Sequence, residues 1–243
     1  MENNEILFEW IGASRNTVFF GGAGVSTESG IPDFRSENGL YAALEKYGRP
    51  PETLLSATFF QLRPDVFFDY YRSNLMVTDV EPNPAHRALA ALEAKGKLAA
   101  VITQNIDGLH QKAGSRNVLE LHGSIYRNHC VRCGARYGYE SIRDADSVPR
   151  CFCGGIIRPD VVLYEESLDS QTLQKAMDAV SAAELLIVGG TSLSVYPAAG
   201  LLDFFHGNHL VLINKSSTPY DSRADLVIHE PIGEVFDQLK IDN

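Results

Sequence analysis

Five short stretches of the chain are almost uninterruptedly apolar or β-branched: Thr17-Val-Phe-Phe20, Leu98-Ala-Ala-Val-Ile-Thr103, Leu185-Leu-Ile-Val188, Leu210-Val-Leu-Ile213 and Asp225-Leu-Val-Ile228. Runs of this length, each closed by glycine or polar residues, predict strands buried on both faces, the habit of parallel sheets. Between them the spacing changes. Pro84 to Lys95 places Ala88, Leu89 and Leu92 on one helical face, and Ser170 to Ala183 does the same with Leu173, Met177 and Val180. Strands alternating with helices predict an α/β fold with a doubly wound sheet, whose ligands sit beyond the carboxyl ends of the strands. The polar residues just after each strand are therefore the ones to read for function.

One long stretch breaks the alternation. From about Ser36 to Val80 the chain is rich in helix formers and aromatics (Phe59, Phe60, Phe67, Phe68, Tyr70, Tyr71) with no strand pattern, which predicts a helical insertion whose aromatic cluster serves packing. A second interruption carries all the cysteine in the chain: Cys130-Val-Arg-Cys133 and Cys151-Phe-Cys153, seventeen residues apart. Two short Cys-x(1–2)-Cys turns can bring four thiolates to one tetrahedral zinc, with Zn–S near ~2.3 Å. Gly134, Gly154 and Gly155 suit the tight backbone of such knuckles. The competing reading, two disulfides, belongs to secreted proteins, and residues 1–15 do not read as a cleavable leader. With four thiolates bound, no position on the metal stays open, so the expected role is structural.

At 243 residues the chain suits one large domain carrying smaller inserts, and 44% hydrophobic with 21% charged residues is ordinary globular composition. The formal charge of −10 speaks against a nucleic-acid partner, whose affinity rests on Lys and Arg neutralising phosphates. It tolerates basic protein segments instead. No apolar run approaches the ~18 residues of a membrane span. The expectation is a cytoplasmic protein with no membrane and no nucleic-acid partner. The oligomeric state is left open, and a monomer is compatible with the sequence.

Candidate chemistry gathers at the strand ends. The first strand runs into Gly21-Gly22-Ala23-Gly24-Val25-Ser26-Thr27, a turn that could bring backbone N–H groups to a phosphate at a helix N-terminus, although Thr27 stands where the dinucleotide fingerprint has its third glycine. Alone it reads equally well as a plain turn. Gly30-Ile31-Pro32-Asp33-Phe34-Arg35 follows, offering a carboxylate, an aromatic ring and a guanidinium on a proline-stiffened loop. The strand ending at Thr103 delivers Gln104, Asn105 and Asp107, groups able to fix a ribose, an amide or a water, although a lone Asp at position 107 reads more readily as a cap on the helix that follows. Leu119-Glu120-Leu121 ends in His122-Gly123, and an imidazole of ordinary pKa near ~6.5 suits a general base at neutral pH. Gly189-Gly190-Thr191-Ser192 and Asn214-Lys215-Ser216 complete the set.

The order of these blocks resembles the sirtuins, the NAD-dependent protein deacylases, and in particular their bacterial members. Gly22-Ala-Gly-Val-Ser26, Gly30-Ile-Pro-Asp-Phe-Arg35, Thr103-Gln-Asn-Ile-Asp-Gly-Leu-His110, His122-Gly123, the cysteine pairs, Arg158-Pro-Asp-Val-Val162 and Gly190-Thr-Ser-Leu193 occur as in that family, from about Phe19 to Asn214. The resemblance implies a Rossmann-like NAD-binding domain from segments 1–35, 81–127 and 157–243. It implies a smaller domain made of a helical module, 36–80, and a zinc module, 128–156, holding one structural zinc. It implies that Ala23, Gly24, Ser26 and Thr27 meet the diphosphate and nearby ribose, and that Thr191, Ser192 and Asn214 meet the adenosine side. Gln104 holds the nicotinamide ribose, and Asn105, Ile106 and Asp107 line the nicotinamide pocket. Gly22, Asp33, Phe34, Arg35, Gly190 and Lys215 join the cofactor set, with Phe34 shielding the reactive ribose and Arg35 steadying its loop.

The implied reaction is displacement rather than hydride transfer: an acyl-lysine oxygen attacks the ribose carbon, nicotinamide leaves, and His122 acts as general base, with Asn105 and Asp107 beside it. Acyl-lysine proteins or peptides are the implied partners, docking by strand addition on Val161 and Val162 with Tyr164 along the tunnel. Two features bear on that docking. Glu165 stands where many relatives carry glycine, which leaves the local backbone path to be determined. The helix Phe67-Phe-Asp-Tyr-Tyr-Arg72 lacks the Tyr-x-x-Arg pair of relatives that take succinyl or malonyl groups, so Asp69 is expected to face Arg72 or Phe68 to stand three before Tyr71, and acetyl-lysine is the expected substrate. The same cleft could serve a mono-ADP-ribosyltransferase or an NAD glycohydrolase. A non-enzymatic zinc or NAD-sensing module would have no use for His122, and a hydride-transfer dehydrogenase is disfavoured by the defective glycine fingerprint.

Overall fold

A computed structural model describes residues 3–32, 37–77 and 79–239. The chain opens with helix α1, Asn3–Ala13, a helix that the strand-centred reading did not foresee, and enters strand β1 at Thr17–Gly21. Helices α2 (Glu37–Tyr47), α3 (Pro51–Leu54), α4 (Ala57–Leu62) and α5 (Pro64–Asn74) form the expected helical insertion, and α6 (Pro84–Ala94) leads to β2 (Leu98–Thr103). After the single turn of α7 (Leu109–Lys112) come β3 (Val118–Glu120), β4 (Gly123–Cys130), β5 (Arg136–Tyr137), α8 (Glu140–Arg143) and β6 (Ile157–Val161). Helix α9 (Ser170–Ala182), β7 (Leu185–Gly189), β8 (His209–Ile213), β9 (Leu226–Ile228) and α10 (Ile232–Asp237) complete the order.

Six strands form one parallel sheet in the order β3-β2-β1-β7-β8-β9, all pairs in parallel register. The five predicted runs are all in it. Alternation along each strand divides the core. Phe19, Val101, Ile187 and Val211 face α1, α6 and α10, while Val18, Phe20, Ile102, Leu186 and Leu212 face α9 and the 3₁₀ segment Ala198–Phe204. The strand order reverses between β1 and β7, and a doubly wound sheet offers its binding crevice at that switch point.

The second sheet is small and antiparallel, β5-β4-β6, and contains the cysteine-bearing stretch 128–156 within limits set by Gly123 and Val161. Its inner face shares a core with the helical insertion: Ile125, Cys130 and Ile157 pack with Phe60, Phe67, Phe68 and Tyr71. Phe67 and Phe68 meet edge to face at 5.2 Å, and Phe67 stacks on Tyr71 at 5.7 Å, so the aromatic cluster is packing, as expected.

Candidate active site

The glycine turn after β1 does not open an α-helix. It makes two 3₁₀ turns, Ala23–Val25 and Thr27–Ser29, stopped by Gly30 in the left-handed region at φ 90°. The N–H of Gly22 donates to the Gly189 carbonyl at 3.2 Å and that of Gly24 to the Gly190 carbonyl at 2.8 Å, so these donors are committed to the loop after β7. The requirement for glycine is steric. A Cβ on Gly24 would lie 2.7 Å from Gly190 Cα, and one on Gly22 would lie 2.8 Å from Thr191 Cβ. Two strand-end turns from opposite sides of the switch point therefore touch through their backbones.

Beside this contact the loop after β2 supplies a chain of hydrogen bonds. Asn105 Nδ2 donates to Ser26 Oγ at 3.0 Å, and Ser26 Oγ donates to Asp107 Oδ2 at 2.7 Å. The other oxygen of Asp107 accepts the Leu109 N–H at 2.9 Å, the first N–H of α7, although Gly108 and not Asp107 stands at the N-cap; the same carboxylate lines the cleft. Burial raises the Asp107 carboxyl above the ordinary carboxylate value, opposed by its bonds from Leu109 and Ser26. Gln104 donates from Nε2 to Thr191 Oγ1 at 3.2 Å, tying the β2 loop to the β7 loop.

His122 follows the edge strand β3. Its Nδ1 lies 2.9 Å from the Gln104 carbonyl, and because a carbonyl only accepts, Nδ1 carries the hydrogen. In the neutral ring the basic lone pair is then on Nε2. The carbonyl of His122 accepts the N–H of Val162 at 2.9 Å. Gly123, at φ 79°, packs so tightly on the Asp160 carbonyl that any Cβ would clash, which fixes why a glycine follows the histidine.

These groups converge on one cleft of about 260 Å³. Ala23, Ser26, Gln104, Asn105, Ile106, Asp107 and His122 line it, and Val161, Val162 and Tyr164 line it from the β6 side. Gly22, Gly24, Thr27, Gly190, Thr191, Ser192, Asn214 and Lys215 are outside that lining. Thr27 Oγ1 bonds the Gly24 carbonyl, Ser192 Oγ bonds Ser194 Oγ, and Asn214 Nδ2 bonds the Ser216 carbonyl. Asp33, Phe34 and Arg35 lie outside the described residues. The lining also takes in Ile31, Pro32 and the Val195-Tyr196-Pro197 loop, which were not singled out as site residues in the sequence because they are apolar or aromatic loop positions with no chemistry of their own.

Beyond β6, Tyr164 exchanges backbone hydrogen bonds with the segment before α4: its N–H donates to the Leu55 carbonyl and its carbonyl accepts the Ala57 N–H, both at 3.0 Å. Glu165 takes φ 76°, the left-handed conformation that a glycine would adopt freely. Glu166 grips Arg158 through two bonds of 2.8 Å and accepts the Leu163 N–H at 2.9 Å. On α5, the expected facing of Asp69 and Arg72 does not occur. Asp69 accepts from Tyr47 Oη and lies 3.2 Å from Lys46 Nζ, while Arg72 donates to the Ser147 carbonyl, and Phe68 and Tyr71 are buried in the aromatic core. None of the four reaches the cleft.

The four cysteine sulfurs lie within 4.8 Å of one another, with Cys130 to Cys153 at 3.5 Å and Cys133 to Cys151 at 3.6 Å. A zinc tetrahedron with ~2.3 Å bonds has sulfur–sulfur edges of about 3.8 Å, so the donor set fits one zinc, and the spacing is far too long for a disulfide. Tyr137 Oη donates to Cys151 Sγ at 3.0 Å and the Arg132 N–H to Cys130 Sγ at 3.4 Å, the outer contacts that thiolate ligands attract. Gly155 is required because a Cβ there would lie 2.6 Å from Cys130 Sγ.

Known proteins are similar to this chain in sequence and in fold. The model of the "Sir2 family" matches residues 22–197. An NAD-dependent protein deacetylase of Cutibacterium acnes is 57% identical, covering 97% of each chain, and one of Clostridium acetobutylicum is 57% identical, covering 94% of each. Among solved structures, a Sir2–p53 peptide–NAD⁺ complex is 39% identical with a TM-score of 0.88, covering 98% of this chain and 97% of that one. A Sir2 homologue–NAD complex is 40% identical with a TM-score of 0.88, covering 97% and 91%. A family match that begins at the glycine turn and ends at the Tyr196-Pro197 wall of the cleft leaves no room for another assignment: the chain belongs to the Sir2 family, the sirtuins.

Proposed function

We infer that this sirtuin is an NAD-dependent protein deacetylase, releasing nicotinamide and O-acetyl-ADP-ribose and leaving free lysine. The observation that carries the reading is that one cleft joins His122, the Asn105-Ser26-Asp107 chain and the edge of β6. NAD supplies the electrophilic ribose carbon and the nicotinamide leaving group. In our reading Ala23, Ser26 and Gln104 hold the ribose and diphosphate, and Asn105, Ile106 and Asp107 hold the carboxamide, with Asp107 accepting from its N–H₂. Gly22, Gly24, Thr27, Gly190, Thr191, Ser192, Asn214 and Lys215, together with Asp33, Phe34 and Arg35, complete the nucleotide contacts.

His122 receives a ribose hydroxyl proton at Nε2, since its Nδ1 hydrogen is held by the Gln104 carbonyl. Val161 and Val162 pair with the backbone of the acyl-lysine peptide, and Tyr164 flanks its side chain. We assign the nucleotide to the large parallel sheet (1–35, 81–127 and 157–243) and the small domain to 36–80 and 128–156, with one zinc in the latter. Four thiols arranged for a metal support a reducing compartment, the cytoplasm, as the place of action. The described lining of the cleft contains no Lys or Arg, so nothing there would anchor an acidic acyl tail, and this favours acetyl.

The test is a panel of acyl-lysine peptides with NAD, reading nicotinamide and O-acyl-ADP-ribose together. Acetyl-lysine should give the higher kcat/KM against succinyl-lysine in the same peptide. His122→Ala should keep NAD binding and lose a general-base factor of roughly 10²–10⁴ in product formation. Nicotinamide release that needs no peptide would replace the reading with a glycohydrolase, and full activity in His122→Ala would remove the histidine from its role.

A further inference from the structure

Among the described residues three carboxylates line the cleft, and they differ in what answers their charge. Asp107 is buried and bonded to Ser26 and Leu109, and Glu166 is paired with the Arg158 guanidinium. Glu165 is exposed, and among the described residues no cation lies against it. Its Oε2 accepts the Thr58 N–H at 2.9 Å, near the start of α4, and the bonds from the Thr58 side chain and backbone hold the carboxyl below its ordinary range. The residue occupies φ 76°, a conformation that disfavours every side chain, and such positions persist where the surroundings over-determine them. Glu165 also directly follows Tyr164, whose backbone is clamped between Leu55 and Ala57, which holds the Glu165 backbone at the cleft edge.

We propose that Glu165 is a specificity-determining residue, selecting substrates that carry a lysine or arginine close to the acetyl-lysine. The inference rests on the deacetylase reading and on the peptide binding along β6, and it adds the chemistry of the neighbouring side chain. An ordered, charge-uncompensated carboxylate at the rim attracts a flanking cation and repels a flanking acid, an effect on encounter and selectivity more than on the chemical step. The whole chain, at −10, reinforces the same preference, but only a local group makes it depend on position in the peptide.

The experiment uses the full-length protein with NAD and one acetyl-lysine peptide in which each position from three before to three after the acetyl-lysine is set in turn to Arg, Ala or Glu. At low ionic strength kcat/KM should favour Arg over Ala by about three- to fivefold at one or two positions, the size of an exposed ion pair, and the preference should shrink as salt is raised. E165Q keeps an oxygen for the Thr58 N–H and removes the charge; it should bring that ratio toward one. E165K should turn the preference toward Glu. A wild-type enzyme that deacetylates all peptides without an Arg preference overturns the proposal and leaves the deacetylase reading standing, as does an E165Q variant that retains the wild-type ratio. Failure of every peptide to release nicotinamide overturns both.

Discussion

In the six-stranded sheet the central strand β1 is buried along all five residues and meets apolar side chains on both faces, whereas in the three-stranded sheet β5 is two residues long and β4 changes register between Ser124 and Asn128. The knuckles at the end of the small sheet are open to solvent: Phe152, between two of the cysteines, is fully exposed, and Val131 is half exposed. Burial on both faces, beside the ladder hydrogen bonds that any sheet has, holds the large sheet, since each Leu, Ile, Val or Phe withdrawn from water contributes roughly 1.5–3 kcal/mol. The small sheet has one shared core on one side and, at its far end, little apart from four converging sulfurs. A fold can thus hold one sheet by hydrophobic contact and close another by coordination chemistry, and the two should fail under different insults.

The widest separation between the two sheets should come from metal removal. Chelation, or Cys151→Ala, should abolish the one zinc per chain and unfold the knuckles while the parallel sheet keeps its circular dichroism and its urea transition, because for such a module metal binding and folding are one free energy. Pure, active protein without zinc would break the comparison at once. A second test strikes the large sheet where metal is irrelevant. Gly24→Ala places a methyl 2.7 Å from Gly190 Cα and 2.9 Å from its carbonyl oxygen, and should cost roughly 1–3 kcal/mol, with zinc content unchanged and KM for NAD raised.

The narrowest effect, confined to acid pH, is a difference in pH slope. His86 and His110 are buried in contact with each other, rings 4.7 Å apart, and burial lowers them to about 4 and about 3. Depressed histidines contribute stability that is full above their unfolded value near ~6.5 and is lost as pH falls toward the folded values, because the unfolded chain takes protons that the folded pair refuses. About 3 kcal/mol should be lost between pH 6.5 and pH 4 for His86, and His86→Leu should flatten that part of the curve. Acid also protonates cysteine ligands, so the measurement is the difference between wild type and variant in urea midpoints across pH. Equal slopes would mean that the histidine pair is hydrated in solution.

What was legible in the chain follows the same division. The parallel strands announce themselves because a strand covered on both faces must be apolar throughout, and β1, β2, β7, β8 and β9 lie where those runs lie. Helix α1 fully buries Leu7 and Ile11 and packs Ile6, Phe8 and Trp10 partly against the core, so its apolar residues run together without a clean helical period. The small sheet leaves almost no trace, since β4 mixes buried and exposed positions across its irregularity and β5 is too short for any period. Four cysteines, by contrast, are a chemical pattern and need no periodicity. At the cleft, the polar groups Ser26, Gln104, Asn105, Asp107 and His122 were legible from type and place. The steric role of Gly22 and Gly24 was not, because it depends on Gly190, which is far away in sequence and adjacent only once β1 and β7 pair.

His122 reaches two neighbours at once, its ring on the Gln104 carbonyl and its own carbonyl on the Val162 N–H. For protein engineering this sets the permissible cuts. The stretch from Tyr164 to Glu166 has to keep its length as well, because Tyr164 is held on Leu55 and Ala57 and Glu166 on Arg158. An insertion or deletion of a single residue between His122 and Ser124, or between Asp160 and Val162, would slide one reactant's support past the other, so any chimera that retains activity must join outside those two triplets.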